Sequence, residues 1–175
     1  AERPGDGTWE VPPILARHPI PEEWRFLLVI PDIDPGKSGT EEDEDMRAVV
    51  ERASPGIADE ITAITLRNVL PAIVEEDLAA FGSGVAAIGR LNGAWYADAQ
   101  GGVYRPPVGE VVRELESEPA IEGAGQSSWG PVVYGVTDRE RAEAAREAGR
   151  RALSRAGVEG AVYVVAGRNE GARID

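Results

Sequence analysis

Residues 132–167 read VVYGVTDRERAEAAREAGRRALSRAGVEGAVYVVAG. Val132–Val136 is a short apolar run of strand length. Asp138 is placed to cap a helix, which the alanine- and arginine-rich stretch carries to about Ala156. Ala142, Ala145, Ala148, Ala152 and Leu153 form its inward stripe, and side chains this small let a helix lie close on a sheet. Gly157 ends the helix, and Ala161–Gly167 is a second strand. A helix joining two strands, with other strands earlier in the chain, makes a split β-α-β arrangement. The pattern predicts an α+β domain, a ferredoxin-like antiparallel sheet with helices packed on one face.

Upstream of this stretch, Ala120–Glu122 reads as an edge strand. Val108–Glu116 reads as a short helix with Val111, Val112 and Leu115 inward. AQGGVYRPP (99–107) is a glycine-bearing loop with a short strand around Val103. Leu78, Phe81, Val85, Ile88 and Leu91 recur at helical spacing, a strong amphipathic signal. Gly82, Ser83, Gly84 and Gly89 in that helix read as close packing or as backbone open to a ligand. Ile57, Ile61, Ile64, Val69 and Ile73 form a looser stripe that Pro71 bends or ends. Trp24–Ile30 (WRFLLVI) is a buried strand ended by Pro31.

Between these elements lies a decoy. Gly36-Lys37-Ser38 looks like the end of a phosphate loop, but Pro31 stands where that motif needs its first glycine, and the acidic run Glu41–Asp45 follows. Thr40 fits better as the cap of a helix running to about Ala53. Asp32 and Asp34 are a pair that would suit Mg²⁺ beside a phosphorylated ligand. Residues 1–21 hold five prolines and read as an extended interdomain linker, which leaves 22–175 as the domain. His18, inside the linker, reads as a surface histidine.

Composition narrows the function. The chain has 175 residues, no cysteine and one histidine. A disulfide framework, a thiolate zinc site and a cysteine nucleophile are excluded, and no metal-ligand cluster is expected. The formal charge is −13, and all but one of the 18 basic residues are arginine. This acidic, lysine-poor composition resembles that of proteins from salt-accumulating cells, and it disfavours a general nucleic-acid binder. No apolar run approaches a membrane span, AERPGDGTWE lacks the basic flank and apolar stretch of a signal peptide, and a cytoplasmic location is expected. The chain opens without methionine on linker-like sequence, so a fragment of a longer protein is expected.

Two segments carry candidate chemistry. In Gly123-Ala124-Gly125-Gln126-Ser127-Ser128, glycines two apart permit positive φ and expose successive N–H groups, a nest for phosphate without positive charge. The other reading is a strand-to-strand turn. Gln100-Gly101-Gly102-Val103-Tyr104-Arg105 sets glycines beside a phenol and a guanidinium, or is a loop whose Tyr104 caps the core. Trp129 and Tyr104 are candidate aromatic walls for a ligand. The catalytic residues are not readable from these patterns.

GAGQSSWGPVVYG (123–135) resembles the C-terminal signature of the archaeal β-ribofuranosylaminobenzene 5′-phosphate synthase-like proteins, members of the GHMP kinase superfamily. ARHPIPEEWRFLLVIPD, KSG with its trailing acids, LPAIVEEDLAAFG and AQGGVY resemble further segments of that family, in the same order. The resemblance implies the GHMP C-terminal fold, with Gly123, Ala124 and Gly125 at the superfamily's third motif, a glycine loop facing the phosphates. It implies a reaction of methanopterin synthesis that joins 5-phosphoribosyl 1-diphosphate to 4-aminobenzoate and releases diphosphate and carbon dioxide. Mg²⁺ is the implied cofactor. The alternatives are an ATP-dependent small-molecule kinase, or a non-catalytic ligand-sensing or dimerisation domain. The implied partners are a small phosphorylated substrate, the protein's own N-terminal domain and a second copy in a homodimer. The superfamily's N-terminal glycine-serine loop has no counterpart in these 175 residues, so the chain alone is expected to be inactive.

Overall fold

The computed structural model describes residues 13–34, 49, 55–128 and 130–172. The Gly36–Gly39 segment, Trp129 and, apart from Val49, the helix expected over 40–53 lie outside the described residues.

Strands β1 (Trp24–Pro31), β2 (Gly123–Gln126), β3 (Val133–Asp138) and β4 (Gly160–Ala166) form one sheet in the order β2-β3-β1-β4. Both neighbours of β1 run antiparallel to it. The helix joining β3 to β4, Ala142–Arg155, therefore crosses the central strand, which is the split arrangement expected of a ferredoxin-like fold.

Strand register divides the core. Leu27 lies opposite Gly135 and Val164, and Val29 opposite Val133 and Val162. These residues share a face, because directly opposed residues point the same way. That face is covered by helix Val108–Glu116 and helix Ala142–Arg155, whose Val111, Val112, Leu115, Ala145 and Ala148 are buried with Leu27 and Val29. The small stripe does what its residues predicted. A Cβ on Gly149 would come within 2.9 Å of Val162. On the other face Trp24, Val136 and Phe81 form a second cluster, with the Trp24 and Phe81 rings 4.8 Å apart.

Helices numbered in chain order precede and include these two. α1 (Pro55–Ile64) passes through a π turn (Thr65–Val69) into α2 (Leu70–Glu75). The junction residues keep right-handed helical φ and ψ, and the Leu70 N–H reaches back to the Thr65 carbonyl. Pro71 thus neither ends the helix nor breaks it. The widened turn absorbs a residue that has no N–H and whose ring would crowd an α-helical carbonyl. Glu76 turns left-handed at φ 57°, and Asp77 caps α3 (Leu78–Trp95) by accepting the Ala80 N–H at 2.9 Å. α4 is Ala97–Gln100, α5 is Val108–Glu116 and α6 is Ala142–Arg155.

Three expectations are corrected. The edge strand is Gly123–Gln126 rather than Ala120–Glu122. No strand forms at Val103; the chain makes α4 and stops at Gly101, φ 86°. Asp138 ends β3, four residues before α6 begins, and caps the intervening turn by accepting hydrogen bonds from the Arg141 N–H and Nε, each at 2.8 Å. Burial pushes the Asp138 carboxyl upward, and the Arg141 hydrogen bonds overcome this and hold it below its ordinary value. Among the described residues, no helix is long and apolar enough to cross a membrane.

Candidate functional site

The glycines of Gly123–Gly125 serve a different purpose from a nest. The segment is extended and pairs with β3, Gly123 opposite Val136 and Gly125 opposite Tyr134. Neither glycine has positive φ; in 123–128 only Ser128 does, at 52°. The physical requirement is closeness. A Cβ on Gly123 would sit 2.0 Å from the Gly82 carbonyl oxygen of α3, and one on Gly125 would sit 2.5 Å from the Tyr134 hydroxyl. The Ala124 side chain is fully buried in the core. The Ser127 N–H is taken by the Val132 carbonyl at 2.8 Å. The reading of the α3 glycines as packing residues holds at Gly82 and at Gly84, whose Cβ would meet Val69 at 2.8 Å.

Beside this strand lies a cleft of about 240 Å³. Gly89, Asn92, Gly93 and Tyr96 supply one wall, Gln100, Val103 and Tyr104 a second, and Gln126 and Ser128 the third. Of the residues singled out in the sequence, Gln126, Ser128 and Tyr104 therefore come together. Gly123, Ala124, Gly125, Ser127, Gly101 and Gly102 do not line it. Gly101 and Gly102 instead make the turn after α4, with φ of 86° and 152°.

Gln126 binds the two glycine-bearing segments to each other. Its Oε1 accepts the Arg105 N–H at 2.8 Å, and its Nε2 donates to the Ser128 carbonyl at 2.8 Å and to Gln100 Oε1 at 3.2 Å. Gln100 Nε2 donates in turn to the Val103 carbonyl at 2.9 Å. One amide side chain thus ties together two stretches of backbone and the Gln100 side chain around the cleft.

Besides Tyr104 in the lining, a further phenol, Tyr134, lies behind it, its hydroxyl 2.9 Å from where a Cβ on Gly89 would sit. Tyr134 donates to the Val85 carbonyl at 3.0 Å. Burial, with Tyr104 adding to it, pushes the Tyr134 phenol up to about 12. Burial also raises Tyr104, with Glu116 adding and Arg90 opposing. Arg90 and Glu116 pair at 2.9 Å. The Tyr104 hydroxyl is buried and has no hydrogen-bond partner among the described residues.

Gln100 stood in the second candidate segment, but Asn92, Gly93 and Tyr96 were not among the candidates. The signal existed: Gly89, Asn92, Gly93 and Tyr96 are spaced i, i+3, i+4, i+7, a small-and-polar stripe beside the apolar one.

Among the described residues, no charged side chain lines the cleft. Its chemistry is that of neutral amides, a serine and two phenol rings. A magnesium ion does not fit these groups. Among the described residues no cluster of three or more His, Asp or Glu side chains could hold a metal. Asp34, one of the two aspartates considered, lies 3.9 Å from the Arg105 guanidinium.

Residues 69–155 match the family described as GHMP kinases C terminal. The chain carries a GHMP kinase C-terminal domain. Over 163 residues this GHMP domain and its flanks are 32% identical to β-ribofuranosylphenol 5′-phosphate synthase of Methanothermobacter thermautotrophicus, covering 92% of this chain and 46% of that protein. The protein of the same name from Archaeoglobus fulgidus is 28% identical over 165 residues, covering 93% and 48%. The chain thus spans about half the length of the curated relatives it matches. Among solved structures, L. major mevalonate kinase in complex with R-mevalonate superposes with a TM-score of 0.64 at 15% identity, over 84% of this chain and 44% of that one. Homoserine kinase from Cytophaga hutchinsonii gives 0.59 at 14% identity, over 85% and 43%. These structures establish the GHMP fold of the domain.

Proposed function

We propose that this chain is the C-terminal part of a phosphoribosyl-transferring synthase, with residues 1–21 as linker and 22–175 as the domain. The observation that supports it is the 32% identity, spread over 92% of the chain, to a synthase of that kind. The reaction joins 5-phosphoribosyl 1-diphosphate to an aromatic carboxylic acid, 4-aminobenzoate or its 4-hydroxy counterpart. The relatives' name places a phenol on the ribose phosphate, where the sequence resemblance had implied an aminobenzene. The anomeric carbon bonds to a ring carbon, and its bond to diphosphate breaks with the electron pair leaving on oxygen. Carbon dioxide departs from that ring carbon, and its bonding pair stays in the ring.

The cleft suits the acceptor ring. Tyr96 and Tyr104 offer aromatic surface, and Asn92 offers an amide that pairs equally with an amino or a hydroxyl substituent. With no cation in its lining, the cleft is poorly suited to diphosphate, so Gln126, Ser127 and Ser128 are proposed to approach only the edge of the phosphates. Magnesium, the cofactor of this reading, would be held by groups outside the described residues, including the N-terminal domain the reading requires. A cytoplasmic, salt-adapted enzyme of methanopterin-type synthesis completes the proposal.

The test is an assay of the longer protein with carboxyl-labelled 4-aminobenzoate and 4-hydroxybenzoate. Release of labelled carbon dioxide that depends on 5-phosphoribosyl 1-diphosphate is expected, and none from the 175-residue chain alone. ATP-dependent phosphorylation of a small alcohol, without carbon dioxide release, would replace this reading with the kinase one.

A further inference from the structure

Arg141 and Arg151 show how this chain settles a guanidinium. Arg141 meets Asp138 at 2.8 Å and Glu122 at 2.5 Å, and Arg151 meets Glu118 at 2.8 Å. Arg105 is left short. Its side chain is 23% exposed, and Nη2 stands 3.9 Å from Asp34 Oδ1, beyond hydrogen-bond reach. Nη1 is buried and has no hydrogen-bond partner among the described residues. A guanidinium carries five N–H donors, and drawing it out of water without acceptors is costly. Asp34 is 78% exposed, so water screens its pull. Arg146 also has a buried nitrogen without a hydrogen bond, but its side chain is 39% exposed and Glu143 stands 3.7 Å from that nitrogen.

The backbone holds Arg105 against the cleft wall. Its N–H is taken by Gln126 Oε1 at 2.8 Å, and its carbonyl accepts the Gly109 N–H at 3.2 Å. Pro106 and Pro107 follow with fixed φ, and α5 begins at Val108. Gln126 and the preceding Tyr104 both line the cleft. An incompletely paired cation thus adjoins a cleft whose described lining is neutral.

We infer that Arg105 binds an oxyanion of the ligand at the edge of the cleft, a phosphate or a carboxylate, and that Asp34 competes for it. The guanidinium fork matches two oxygens of either group. Displacing an exposed carboxylate from 3.9 Å gives up little. Arg105 then supplies the positive charge that the described lining lacks, beside the neutral amides of the wall. A ligand oxyanion at this position rests on the phosphorylated and carboxylated substrates of the reading above, but on no step of their reaction.

Titration calorimetry of this chain with inorganic diphosphate and with benzoate tests the assignment. Diphosphate is expected to bind, and Arg105→Gln to weaken it about tenfold or more. Asp34→Asn, at an exposed position, is expected to tighten it about threefold. Asp32→Asn removes the same charge two residues away and is expected to leave the affinity unchanged. An arginine that only props the loop would give no such contrast between the two aspartates. Benzoate binding with this pattern, and none by diphosphate, assigns the oxyanion to the acceptor's carboxylate instead of a phosphate. Equal affinity in the parent and Arg105→Gln overturns the inference. So does binding of neither anion by the parent and Asp34→Asn, or a gain from Asp34→Asn no larger than that from Asp32→Asn. Should Arg105→Gln unfold, which circular dichroism would show, the two aspartate variants decide. Carbon dioxide release enters none of these readouts, so failure of the synthase reading leaves them intact.

Discussion

At Gln126 one side chain satisfies the Arg105 N–H and the Ser128 carbonyl together, each at 2.8 Å. Gln126→Leu removes both bonds, and a hydrogen bond between groups this accessible to water contributes about 0.5–1.5 kcal/mol. A loss of that size in denaturant-unfolding free energy is expected. Gln126→Glu should lose part of it, because a carboxylate still accepts from Arg105 but cannot donate to Ser128 or Gln100. Tyr134 gives a second residue-scale prediction. Its folded phenol sits at about 12, against about 10 in the unfolded chain. Folding therefore favours the protonated form. The contribution is whole below about pH 10 and is lost as pH rises toward 12. In a spectrophotometric titration of phenolate absorbance, Tyr134→Phe should remove the highest-titrating tyrosine and flatten the alkaline decline in stability. Neither role was legible beforehand. Gln126 was read as a ligand donor because its sequence neighbours are glycines. Two of its three partners lie 21 and 26 residues away, and no local spacing encodes those two.

Elements were more legible than residues, and the exception is instructive. The apolar positions Ile57, Ile61, Ile64, Val69 and Ile73 step by 4, 3, 5 and 4. The step of 5 spans Thr65–Val69, the π turn, where hydrogen bonds run from residue i to i+5. The wide turn was thus written in the spacing, although the proline drew attention instead. Leu66 in that turn is exposed. Deleting it together with Pro71→Ala should restore an ordinary α-helix with the apolar stripe in phase, and the double variant should melt close to the parent. Deleting Leu66 alone forces the proline ring onto a carbonyl, and about 3 kcal/mol of destabilisation is expected in the same melting experiment. β2 was misplaced for a related reason: the Gly-Ala-Gly run looks like a turn by composition. Only the approach of Gly82 to Gly123, a tertiary contact, explains why a strand should be built of such small residues.

The whole molecule has a ferredoxin-like sheet that followed from one strand-helix-strand pattern, because an alanine stripe and a crossing helix leave few other solutions. Its charge makes a further prediction. Net self-repulsion at −13 is screened by salt, whereas exposed pairs such as Arg90–Glu116 and Arg151–Glu118 are worth about 0–1 kcal/mol each. The melting temperature should therefore rise from low to molar potassium chloride, as calorimetry would read; a fall would show the pairs to dominate. The strand order has one more consequence. β1 lies at the middle of the sheet, yet Val29 must wait for Val133 and Val162, more than 100 residues later. At a synthesis rate of about 5–20 residues per second, the apolar run Trp24–Pro31 emerges from the ribosome roughly 5–20 s before either flanking strand exists. During that interval it is the segment that nascent-chain chaperones would hold.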